Sequence, residues 1–125
     1  MAMTLRAWIL GLAIAATTTV GAAKESLSIR VSPATSFAPA NLVIRTRIEP
    51  DADNRAMEVV ADSEEFYRSS IIPLEGERAP KTTTFQYPGL PPGDYEVTAT
   101  LLGPGGRPRS MARAHVNVIE SGMSR

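Results

Sequence analysis

Between Leu27 and Val118 the chain reads as seven short strands, most of them alternating inward and outward residues one for one, with proline, glycine or Asp/Asn turns between many of them. A period of two sends successive side chains to opposite faces of an extended strand, so each run has one face to bury and one to keep wet. Leu27, Ile29 and Val31 alternate with Ser28, Arg30 and Ser32 before Pro33. Leu42, Ile44, Thr46 and Ile48 alternate with Val43, Arg45 and Arg47 until Glu49 and Pro50. After an Asp51-Ala52-Asp53-Asn54 turn, Met57, Val59 and Ala61 alternate with Glu58, Val60 and Asp62. Good helix formers between Arg55 and Tyr67 leave a helix as the alternative there, but the Val59-Val60 pair and the strands on either side favour extended chain. Residues 67–74 predict a weaker strand, with Pro73 suited to a sheet edge where a missing ladder donor is tolerated. Residues 82–87 place Thr83, Phe85 and Tyr87 on one face, and Pro88 is expected to end that run. In residues 94–102 Tyr95, Val97, Ala99 and Leu101 face inward. Residues 103–109 are too rich in Gly and Pro to continue a strand. Ala114, Val116 and Val118 then close the pattern, with Arg113, His115 and Asn117 outward.

The first 23 residues follow a different rule. Arg6 gives a positive start, residues 7–20 are apolar around Trp8, Ile9, Leu10, Leu12 and Ile14, and Gly21, Ala22 and Ala23 close the run. Charged start, apolar stretch and small-residue exit form the layout of a secretory signal helix, cleaved after Ala22 or Ala23. The run is shorter than the roughly 20 apolar residues a membrane span needs, so no stable span is expected after cleavage. The expected organisation is a signal peptide over residues 1–23, one domain over residues 24–120 and a loose tail over residues 121–125. The expected destination is the periplasm or the exterior.

Seven strands without a helix in the mature chain predict an all-β fold, two antiparallel sheets packed face to face, since each sheet must bury its apolar side against something. A small closed barrel has the same local alternation and stands as the alternative. The phrase Leu90-Pro91-Pro92-Gly93-Asp94-Tyr95-Glu96-Val97 resembles the entry to the sixth strand of immunoglobulin-like and fibronectin type III-like domains. That resemblance implies a seven-stranded antiparallel immunoglobulin-like sandwich, in which Leu90, Gly93 and Tyr95 form a tyrosine corner: a tight turn, a buried ring, and a hydroxyl bonded to backbone upstream. The chain has no Cys and its one Trp lies in the signal, so the likeness is to cysteine-free bacterial members. Transthyretin-like domains use a similar phrase in a different strand order.

Chemistry has few residues to work with. No Cys means no disulfide, thiolate nucleophile, zinc-thiolate or iron-sulfur site. His115 is the only imidazole, on an outward strand position with no Gly-x-Ser-x-Gly elbow, so neither a serine hydrolase nor a metal site built on histidines is expected. With 13 basic and 13 acidic residues the chain lacks the positive excess that nucleic-acid binding requires. Acids concentrate from Glu49 to Glu77, nine against two arginines. The Asp51–Asn54 stretch starts like a calcium loop, but Arg55 and Ala56 stand where a ligand and a glycine are wanted, leaving an acidic turn. No cofactor, metal or catalytic residue is expected, and the chain is read as a non-enzymatic module making protein or structural contacts in the envelope or extracellular space, with a partner protein or with itself. The alternative is a module binding carbohydrate or another ligand. Candidate partner-binding residues are Phe66 and Tyr67, a possible stacking platform set against burial of at least one ring, and Arg107 and Arg109 on the Gly-Pro turn. Arg45 and Arg47 read as a solvated face.

Overall fold

A computed structural model describes residues 26–121; the expected signal helix, residues 1–23, and all but the first residue of the expected tail lie outside that range. Eight strands form: β1 (Leu27–Ser32), β2 (Thr35–Phe37), β3 (Ala40–Ile48), β4 (Ala56–Asp62), β5 (Tyr67–Pro73), β6 (Thr82–Leu90), β7 (Gly93–Leu102) and β8 (Pro108–Ile119). They divide into a three-stranded sheet in the order β1-β3-β6 and a five-stranded sheet in the order β2-β8-β7-β4-β5. The all-β class read from the alternation holds, and no helix among the described residues is long and apolar enough to cross a membrane.

The inward set is the one the period of two selects. Leu42, Ile44, Thr46 and Ile48 on β3 are buried, as are Met57, Val59 and Ala61 on β4 and Tyr95, Val97, Ala99 and Leu101 on β7. They join Leu27, Phe85, Tyr87, Leu90, Val116 and Val118 in one core between the sheets. Tyr87 ties the layers together. Its hydroxyl reaches from the three-stranded sheet to the Val59 carbonyl on β4 and to the Ser70 hydroxyl on β5, each at 2.9 Å. The phenol has one proton, which goes to the carbonyl, so the Ser70 hydroxyl donates in turn.

Three details depart from the simple pattern. β2 is the eighth strand: three residues long, it pairs parallel with residues 117–119 of β8, so the first edge of the sandwich changes sheet between β1 and β2. Pro88 does not end β6, which continues to Leu90. Ala40 pairs with Leu90 and Leu42 with Tyr87, so Asn41 alone faces Pro88 and Gly89 across a bulge. A bulge is where a strand tolerates proline, and the Asn41 side chain takes up the Gly89 N–H at 3.2 Å. The third departure is a second bulge on β8: Leu101 pairs with Ser110 and Leu102 with Pro108, which leaves Arg109 as the extra residue and re-aims its side chain.

Candidate functional site

At one end of the sandwich three loops meet around Asn54, whose side chain is fully buried. Its Nδ2 donates to the Glu49 carbonyl at 2.9 Å, and its Oδ1 accepts from Arg109 Nη1 at 2.6 Å. Its backbone carbonyl accepts from Gly76 N–H at 3.0 Å, which brings in the β5–β6 connection. Arg109 crosses Gly103 to get there: a Cβ on Gly103 would lie 2.9 Å from Arg109 Cδ, so glycine clears the path. A buried polar side chain bonded at both its nitrogen and its oxygen holds loops in one arrangement.

Asp51 completes this end. Its Oδ1 accepts the Asp53 N–H at 2.8 Å, and its Oδ2 lies 3.3 Å from Arg109 Nη2. That backbone bond, with Arg109 behind it, holds the Asp51 carboxyl below the ordinary carboxylate range. Both carboxylate oxygens thus belong to the turn and its arginine.

At the opposite end Tyr95 is fully buried and its hydroxyl donates to the Pro91 carbonyl at 2.7 Å, four residues upstream. Burial pushes its phenol above the ordinary value. Leu90 is also fully buried, and Gly93 has a φ of 154° with Ser63 against it. Phe66 meets the Tyr95 ring edge to face, with centroids 6.2 Å apart.

The four candidate contact residues do not converge. Phe66 packs against the core, whereas its neighbour Tyr67 is 62% exposed on β5, the sheet edge. Phe66 closes the β4–β5 connection with its ring against Tyr95, while Tyr67 opens β5 with its ring in solvent, so the two rings do not form one platform. Arg109 is engaged at Asn54 and Asp51, while Arg107 is exposed at the β7–β8 turn. Tyr67 lies on the row of Asp62 and Glu96, and Arg107 lies beyond that of Ala56 and Leu102, six residues or about 20 Å further along the sheet.

Register reveals what the sequence left scattered. On the outer face of the three-stranded sheet, Arg30 pairs with Arg45, and Arg47 lies two residues along the same strand. All three are exposed, and a depression of about 320 Å³ runs between them. On the outer face of the five-stranded sheet Asp62 pairs with Glu96, which lies 3.7 Å from Arg113 and opposite His115. Glu58 and Asp94 share that outward phase.

No protein-family model matches the chain, and no curated protein resembles it in sequence. Solved structures do share its fold. The superoxide reductase (neelaredoxin) of Ignicoccus hospitalis is similar at a TM-score of 0.59 and 16% identity, over 75% of this chain and 80% of that one. A single-substitution variant of that enzyme is similar at 0.52 and 14%, over 81% and 84%. A CARDB domain of a Pyrococcus furiosus protein, in complex with di-metal ions, gives 0.45 and 14%, over 76% and 92%. These likenesses overturn the expectation that a chain of this architecture is not an enzyme, because the same arrangement of strands carries superoxide reductases. At such identities the likeness is one of fold.

Proposed function

We propose that the chain is an immunoglobulin-like module, exported under the direction of residues 1–23, that acts by surface contact with a partner in the cell envelope or extracellular space. Support for the immunoglobulin-like assignment comes from the sheet composition, with the first, third and sixth strands facing the other five, and from the Tyr95–Pro91 corner at the start of the strand before the last. The closing β7–β8 hairpin favours that order over a transthyretin-like one. The observation that carries the contact reading is the separation of charge between the two outer faces. One bears Arg30, Arg45 and Arg47 without an acid in their rows, and the other bears Glu58, Asp62, Asp94 and Glu96 against one arginine, Arg113. Faces so charged steer and orient a complementary partner.

Photo-reactive residues at Thr84, on the arginine face, and at Thr98, on the acidic face, test this in intact cells. A partner cross-linked from at least one face, by a chain whose amino terminus is residue 23 or 24, is the expected result. An unprocessed chain that cross-links from neither face, and that consumes superoxide when purified, would contradict the reading and move it toward the chemistry for which its structural relatives are named.

A further inference from the structure

The outer face of the three-stranded sheet has three rows of outward side chains, of which Ser28–Arg47–Thr82 and Arg30–Arg45–Thr84 carry the charge and Ser32–Val43–Gln86 none. The two charged rows lie about 6.6 Å apart along the strands. The arrangement is costly to the folded chain by itself, since like charges directly opposite on neighbouring strands repel. Among the described residues no ion pair offsets it. The ion pairs among the described residues are Arg109 with Asp51 and Arg113 with Glu96, and none of the three face arginines donates a side-chain hydrogen bond to another described residue. Three guanidinium forks without a partner among the described residues therefore line a shallow depression of about 320 Å³, together with Ser28 and Thr82.

Guanidinium forks match the paired oxygens of sulfate, phosphate and carboxylate, and flanking hydroxyls suit the hydroxyls of a sugar. Other polyanions fit less well. The face has no outward aromatic ring, which a single-stranded nucleic acid needs for base stacking. The large exposed apolar residues, Phe37, Tyr67, Ile71, Met111 and Ile119, all belong to the five-stranded sheet, so the arginine face has neither a wedge for a bilayer nor an apolar anchor for a protein interface. We propose that this face is a binding site for an acidic polysaccharide, whose anionic groups are held by Arg30, Arg45 and Arg47. The proposal rests on the surface-contact reading above and names the class of partner for one face.

Heparin is the probe, titrated calorimetrically into the purified chain at several salt concentrations, with neutral dextran as control. The expected result is binding to heparin and not to dextran, weakening as salt rises. The triple variant Arg30→Ala, Arg45→Ala, Arg47→Ala should bind at least tenfold more weakly and melt no lower than the parent, because removing the Arg30–Arg45 repulsion costs the fold nothing. The triple Arg→Lys variant should fall between, keeping charge without the forks. Unchanged heparin affinity in the alanine variant would overturn the proposal. So would a parent that ignores heparin and instead self-associates through these arginines in sedimentation, which would assign the face to a second copy. If heparin binding fails while cross-linking from Thr98 persists, this site is lost and the surface-contact reading stands.

Discussion

Arg109 was a candidate for contact with a partner from its place on a Gly-Pro turn, and the structure gives it an internal task whose size can be worked out. Arg109→Ala removes a charge-assisted hydrogen bond to Asn54 Oδ1, made at 2.6 Å, and a longer ion pair to Asp51. A bond to a charged partner contributes about 1.5–3 kcal/mol, and the solvent-screened pair to Asp51 adds little to it. Water can partly replace the guanidinium, whose side chain is 32% exposed, so a net loss of about 2 kcal/mol is expected. For a domain near 100 residues that is a fall in Tm of roughly 8–16 °C. Asn54→Ala should cost more, about 2–4 kcal/mol, because the Glu49 carbonyl also loses its donor. The two losses overlap, and a double-mutant cycle by urea denaturation should show a coupling of about 1–2 kcal/mol. Arg107→Ala is the control, expected within about 0.5 kcal/mol of the parent. Additive losses at Asn54 and Arg109, or an Arg109→Ala variant as stable as Arg107→Ala, would refute the reasoning.

Three further outcomes follow from the same geometry. Tyr95→Phe should cost about 0.5–1.5 kcal/mol by orphaning the Pro91 carbonyl. Since burial raises the Tyr95 pKa, the stability tied to its neutral form is complete below about pH 10 and lost as pH rises through the folded value. Ultraviolet titration should accordingly show a late-ionising phenol that disappears in the Phe variant. Asp51 has the opposite sign: its folded pKa is depressed, so its contribution is present above about pH 3.9 and lost as pH falls through the lowered value. Asp51→Asn should flatten that part of the acid-unfolding profile measured by circular dichroism. Phe66→Ala should destabilise by about 1–2 kcal/mol through the lost edge contact with Tyr95, while Tyr67→Ala, on the exposed edge, should stay within about 0.5 in the same denaturation assay.

Alternation made seven strands legible because each is long enough to show two or three apolar residues in phase. Three residues cannot show a period, so Thr35–Phe37 carries no strand signal of its own. Pro88 misled because proline reads as a stop, and the bulge that accommodates it depends on Asn41, a residue of another strand. The Tyr95 phrase is local, so a hydroxyl bonded upstream could be anticipated from eight consecutive residues. Arg109 and Asn54 are 55 positions apart, and their meeting depends on two loops and a bulge that no periodicity encodes. The arginine face lies between these cases. Arg45 and Arg47 are visibly outward on one strand, but the register of β1 against β3 is what sets Arg30 beside Arg45 and turns a solvated pair into an uncompensated cluster. The separation of Phe66 from Tyr67 depends on where β5 begins, because Phe66 lies in the connection before it and packs on Tyr95, a contact between residues 29 positions apart.

Amide chemical-shift mapping during a heparin titration tests the central claim, that this chain works through a charged outer face, most directly. Perturbations should concentrate on the outward rows through Ser28, Arg30, Arg45, Arg47, Thr82 and Thr84, leaving Tyr67, Arg107 and the Asn54 loops unchanged. Shifts centred on the five-stranded sheet or the loop tips, or no shifts at all, would contradict it.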